Sequence, residues 1–305
     1  MRSTPPRPTV FLLAATIAVA ASGNLRAQQA PSTDIYVAPL TVRDGRVEVG
    51  TPVNVTRHRG YDNQPAFTSD GRALLYTVVG GSGSQADIHR LELETLRSEP
   101  ITRTPESEYS PTLTPDGRGI SVVRVERDST QRLWRVPLEG GDATLLIPRL
   151  APVGYQAWLD DHTLALFVLG SPNALVIADT RMGSADTVAR NIGRSLHVRP
   201  GARTLGYVSK RAPQEWWLTS MDPATREPTD LVRLPEGVED YAWLPDGSAI
   251  VGQGSVLLRW RPGSSAWERV ADLSGGGVDG ITRLAVSPAG DRIAIVARER
   301  DEARR

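Results

Sequence analysis

The chain has 305 residues, a formal net charge of zero at pH 7 and no cysteine. Without a concentrated basic stretch it cannot displace counterions from a phosphate backbone, which excludes nucleic acid as an expected partner. Absence of cysteine excludes disulfides, thiolate catalysis and Cys-ligated metals. A chain of this length can bury a sufficient core without such staples.

The first residues read as a targeting segment. Arg2 and Arg7 precede an apolar run from Val10 to Ala21, about a dozen residues and too short to span a bilayer comfortably. Leu25-Arg26-Ala27 then offers a small residue at a cleavage point. Residues 1–27 are therefore expected to be a signal peptide, the mature chain to start near Gln28, and the protein to be periplasmic or secreted with no stable membrane span after cleavage. Residues 28–33 read as a short polar linker.

Two stretches of alternating apolar residues follow, Asp34-Ile35-Tyr36-Val37-Ala38-Pro39-Leu40 and, past a turn at Asp44-Gly45, Arg46-Val47-Glu48-Val49 with Pro52-Val53-Asn54-Val55-Thr56. They have the pattern of outer strands with no inner strands before them.

From there a phrase recurs. It reads Thr68-Ser69-Asp70-Gly71-Arg72-Ala73-Leu74-Leu75-Tyr76, then Thr114-Pro115-Asp116-Gly117-Arg118-Gly119-Ile120-Ser121-Val122. Further copies contain Leu244-Pro245-Asp246-Gly247-Ser248 and Ser287-Pro288-Ala289-Gly290-Asp291, with worn copies at Leu159-Asp160-Asp161-His162 and Arg199-Pro200-Gly201-Ala202. The spacing is about 40–46 residues, the length of a four-stranded propeller blade. Each copy is followed by an inner hairpin, a third strand such as Asp87-Ile88-His89-Arg90-Leu91, and an edge strand such as Glu99-Pro100-Ile101-Thr102. The last copy stops after its inner strands, near Arg298, and lacks what the N-terminal segment has in surplus.

The expected fold is therefore all-β: a six-bladed β-propeller over residues 34–299, with four-stranded antiparallel blades and the last blade completed by the N-terminal strands. Such closure removes the exposed edge of an open ring and needs no second copy, so a monomer is expected. Residues 300–305 read as a charged tail. The aspartates of the repeated phrase, Asp70, Asp116 and Asp246, are expected to hold turns, because Gly accepts positive φ and Asp bonds its own backbone.

The repeated units resemble the WD40-like repeats of TolB-type propellers, and the resemblance covers residues 34–298. TolB itself also carries an α/β domain before its propeller. The residues before Asp34 are not expected to hold one, so the closer likeness is to secreted stand-alone bacterial propellers. The resemblance implies a scaffold that binds a protein or a small ligand on one face; some related propellers are enzymes, so it implies no particular reaction.

The loops that lead into the innermost strands are unusually polar and sit at the same place in each repeat. They supply Asp62, Asn63, Glu108, Tyr109, Tyr155, Arg194, Asp240, Tyr241 and Arg283. We expect these to converge at one channel mouth and to bind an envelope protein, a small ligand or a glycan. The alternative is a carbohydrate-active enzyme, of glycosidase or lyase type, using carboxylates such as Asp62, Glu108 and Asp240 at that mouth. A third reading is a structural envelope component. No cofactor or metal is expected: His58, His89, His162 and His197 fall on different repeats and do not form a ligand set. No Gly-x-Ser-x-Gly nucleophile elbow is present.

Overall fold

The computed structural model describes residues 31–80 and 85–299. The expected signal peptide, the first half of the linker and the charged tail lie outside the described residues. The first strand, Thr33–Arg43, begins at the last residue of that linker.

The described chain is almost entirely β. Four antiparallel sheets of four strands are each built from consecutive segments, for example Val153–Trp158, Thr163–Val168, Ala174–Asp179 and Ser184–Arg190. A nine-stranded mixed sheet joins the two ends of the chain. Within it Thr33–Arg43 pairs antiparallel with Arg292–Arg298, in a register running from Thr33 opposite Arg298 to Pro39 opposite Arg292. The expected outer edge forms in two pieces. Arg46–Val49 pairs with Leu40 to Arg43, and Val53–Asn54 pairs with Tyr36 and Val37. A single parallel bridge, Thr33 to Tyr61, links this sheet to Gly60–Phe67 of the next repeat. The arrangement is propeller-like.

The turns form as their residues dictate. Gly71, Gly117 and Gly247 take φ of 66°, 67° and 76°, a region open to glycine at little cost. Asp70 accepts from the Thr68 hydroxyl at 2.6 Å and the Arg72 amide at 3.0 Å, and Asp116 accepts from the Arg118 amide at 3.0 Å. Hydrogen bonds from Thr68 and the Arg72 amide hold the Asp70 carboxyl below its ordinary pKa. At Asp246 burial acts in the opposite sense, but bonds from Ser248 and the charge of Arg259 outweigh it and again lower the pKa.

Apolar faces of successive sheets pack on one another. Ile35, Phe67, Leu74, Tyr76, Ala294 and Val296 form one core cluster, so the two chain ends bury surface together. Trp216 and Trp217 are both half-buried, and each is covered by a cation, Lys210 at 4.2 Å and Arg211 at 5.3 Å from the ring centroids. Among the described residues no helix is long and apolar enough to cross a membrane.

Candidate ligand channel

The innermost strands of the repeats face one another. Gly60–Phe67, Ser107–Leu113, Val153–Trp158, Ile192–Val198, Ala242–Trp243 and Arg283–Val286 all contribute to the lining of one cavity of about 610 Å³. That volume is in the range of small-molecule sites.

Neighbouring repeats are joined in phase around this cavity. The Gln64 Oε1 accepts the Ser110 amide at 2.8 Å, and the Gln156 Nε2 donates to the Ser110 carbonyl at 2.6 Å. The Ser195 hydroxyl donates to Asp240 Oδ2 at 2.7 Å, and Asp240 Oδ1 accepts the Leu284 amide at 2.9 Å. Arg283 Nε donates to Asn63 Oδ1 at 3.2 Å, which links the last repeat to the first.

Two of the lining residues, Gln64 and Ser110, take φ of 58° and 55°, the left-handed region that non-glycine residues rarely occupy. Both lie where the strand register shifts, between Asn63 and Ala66 and between Tyr109 and Thr112. Bulges of this kind re-aim side chains and cluster near functional sites. Here they turn Gln64 Oε1 and the Ser110 amide toward each other.

The sequence-selected residues divide. Tyr155, Arg194, Asp240 and Arg283 line the cavity. Asn63 is buried and holds Arg283 from behind. Arg283 also reaches Tyr155, with Nη2 3.4 Å from its hydroxyl and the guanidinium carbon 5.1 Å from the ring centroid, and lies 3.7 Å from Asp240. Burial acts to lower the Arg283 pKa, but the pull of Asp240, Tyr155 and Tyr61 outweighs it and raises the pKa. Its charge is secure.

Asp62, Glu108, Tyr109 and Tyr241 are not part of the cavity lining. Asp62 is fully buried with His58 Nε2 3.0 Å from its Oδ1, and burial raises its pKa although His58 opposes this. Glu108 is fully buried and accepts from Arg124 Nε at 3.0 Å; burial raises its pKa, against Thr104 and Arg124. Tyr109 packs on the core cluster of Val123 and Val153. Tyr241 is fully buried with its ring edge-on to His197 and Trp243.

Sequence reasoning passed over the strand residues beyond the loops. Phe67, Leu113, Trp158, Val198, Trp243 and Val286 line the same cavity at the ends of their strands. Their shared phase within the repeat, just before each turn, was the available signal. A smaller cavity of about 160 Å³ shares Arg194, Asp240 and Arg283 with the large one and adds Glu239 and Trp216. Among the described residues no group of three or more His, Asp or Glu is placed to hold a metal ion.

Comparison with protein-family models and with curated protein sequences gives no match. Among solved structures the chain is similar to a TolB candidate from Agrobacterium tumefaciens, at 14% identity and a TM-score of 0.68, covering 88% of this chain and 99% of that one. It is similar to TolB from Acinetobacter baumannii, at 14% identity and a TM-score of 0.58, covering 87% of this chain and 64% of that one. It is also similar to an oligogalacturonate lyase solved with manganese, at 17% identity and a TM-score of 0.55, covering 83% and 81%. At identities this low the likeness establishes the fold alone, a β-rich fold of the propeller type.

Proposed function

We propose that residues 34–299 form a closed six-bladed propeller, exported by the signal peptide at residues 1–27, that works as a binding module in the periplasm or outside the cell. Its ligand sits in the central channel. The observation that carries this reading is the cavity of about 610 Å³ whose wall draws on the innermost strand of every repeat and is tied by buried and partly buried hydrogen bonds between repeats. Pre-formed concavities with a few convergent polar groups are where small ligands bind. A deep channel fits a small ligand better than it fits a flat protein surface.

The enzyme reading draws less support. A glycosidase needs two carboxyl groups flanking one bond, and Asp240 is the carboxylate that lines the large cavity, while Asp62 and Glu108 lie outside that lining.

The test fills the channel. Val198 lines the cavity and is 36% exposed, so Val198→Trp occupies the space while leaving the polar belt intact. A small-molecule screen followed by calorimetry should find ligands that bind the unmodified protein and not Val198→Trp, with both proteins melting alike. Ligands that bind both proteins equally would place the site elsewhere.

A further inference from the structure

The charges of the channel do not cancel. Its charged lining residues are Arg194, Asp240 and Arg283, with His197 beside them. Burial lowers the His197 pKa, with Asp240 opposing and Arg283 assisting, so the imidazole is neutral near pH 7. Asp240 is committed: it accepts from Ser195 and from the Leu284 amide, and Arg283 lies 3.7 Å away. That leaves Arg194. Its Nε is buried with no protein acceptor among the described residues. The neighbouring carboxylate, Glu239, takes Lys210 Nζ and the Arg194 backbone amide on its Oε1, each at 2.9 Å, and its single charge is shared between the Lys210 and Arg194 cations, which leaves the group one positive charge in excess. A buried guanidinium N–H without an acceptor is costly, and a planar guanidinium matches a carboxylate in two-pronged geometry.

The opposite end of each lining strand is apolar, with Phe67, Leu113, Trp158, Val198, Trp243 and Val286. Because the repeats are joined in phase, these residues collect away from the level of Arg194, Asp240 and Arg283. The cavity is therefore cationic at one level and apolar at another. We propose that it takes a small amphipathic carboxylate, with the acid group on Arg194 and an apolar body against this wall. The proposal rests on the channel being the binding site and adds the chemical class of ligand.

The probes are matched pairs. Benzoate is compared with benzamide, and hexanoate with hexanamide, by calorimetry; the two pairs separate an aryl body from an alkyl one, and inorganic phosphate tests the anion alone. Each acid should bind at least about tenfold tighter than its amide, and phosphate should bind more weakly than either acid. Arg194→Gln should abolish the acid preference, and Arg194→Lys should restore part of it. Raising NaCl from about 50 to about 500 mM should weaken the acids and spare the amides, a readout on the unmodified protein that holds even if a variant misfolds. Equal binding of acid and amide, an acid preference that survives Arg194→Gln in a folded variant, or no binding of either acid would overturn the proposal. Acid and amide that bind equally, and are both lost in Val198→Trp, would refute the carboxylate while leaving the channel reading in place.

Discussion

Arg283 Nε donates a hydrogen bond to Asn63 Oδ1 at 3.2 Å, across 220 positions of sequence. The same guanidinium faces Asp240 and Tyr155, so one side chain ties the last repeat to the first, the third and the fifth. Arg283→Met removes all of these. It leaves Asp240 mostly buried with its charge unmatched, which costs about 3 kcal/mol when a buried pair loses one partner. Asp240→Asn on the same background should recover part of that loss, because the uncompensated charge is gone. Denaturant melts of the two single variants and the double variant measure this coupling, and strict additivity would mean that the pair does not interact.

Tyr241 offers a contrast between packing and binding. Its hydroxyl is buried and makes no hydrogen bond of good geometry; burial raises its pKa well above the usual phenol value, Asp240 adds to the rise, and a weak contact with the His197 backbone opposes it. An unpartnered buried hydroxyl costs about 1–3 kcal/mol. Tyr241→Phe should therefore melt at the same temperature or higher, and its affinity for channel ligands should be unchanged. A marked loss of stability in calorimetry would reveal a hydrogen bond to this hydroxyl.

The opening left at Gly206 is filled by the same ring pair. A methyl added there would meet Tyr241 Oη at 2.5 Å and Trp243 Cζ2 at 2.8 Å. Gly206→Ala should destabilise by about 1–3 kcal/mol through overpacking. Because Trp243 lines the cavity, the near-ultraviolet circular dichroism and the ligand affinity should change with it. An unchanged spectrum and melt would show that the rings have room to move.

His58 and Asp62 make the chain-end region sensitive to pH. The hydrogen bond with Asp62 raises the His58 pKa above 6.5, burial opposes, and the Asp62 charge adds to the rise, with Asp34 contributing further. A raised pKa means that the folded state holds the proton more tightly than the unfolded one. The stability this contributes is fully present below about pH 6.5 and fades as pH climbs through the folded value. Asp62 also has a raised pKa, caused first by burial, and acts in the same sense above its ordinary value. In Asp62→Asn the His58 titration midpoint, followed by NMR, should fall, and the advantage of pH 6 over pH 8 in thermal melts should shrink. A midpoint that stays in place would mean that Asp62 does not set it.

What was legible in the sequence was what is local. The turn at Asp70-Gly71 is encoded by positive φ at glycine and by the aspartate's bond to the Arg72 amide, which need no distant partner. The third strand expected at Asp87 to Leu91 forms within Ala86–Glu92. The orientation of the mouth residues was not local. Asp62 and Glu108 belong to the same strands as Gln64 and Ser110, and the register shifts at those two residues break the simple alternation that would have sorted cavity from interior. Asp62 meets His58 and Glu108 meets Arg124, contacts that depend on how the strands pack.

The most direct measurement is a cross-link between the chain ends, since the channel exists only if the N-terminal strand completes the last sheet. Pro39 and Arg292 are opposite each other on paired strands, and both have some exposure. Directly opposed antiparallel residues lie about 4.5–5.5 Å apart at Cα, within disulfide reach. The chain has no cysteine of its own, so a Pro39→Cys/Arg292→Cys variant can form only this bond within one molecule. Oxidation should give a monomer that migrates faster on a non-reducing gel and melts at a higher temperature, while a Pro39→Cys/Met182→Cys control, with Met182 79% exposed in a turn between two strands of a different sheet, should not. Failure of the first pair to close, or equal closure of the control, would contradict the account.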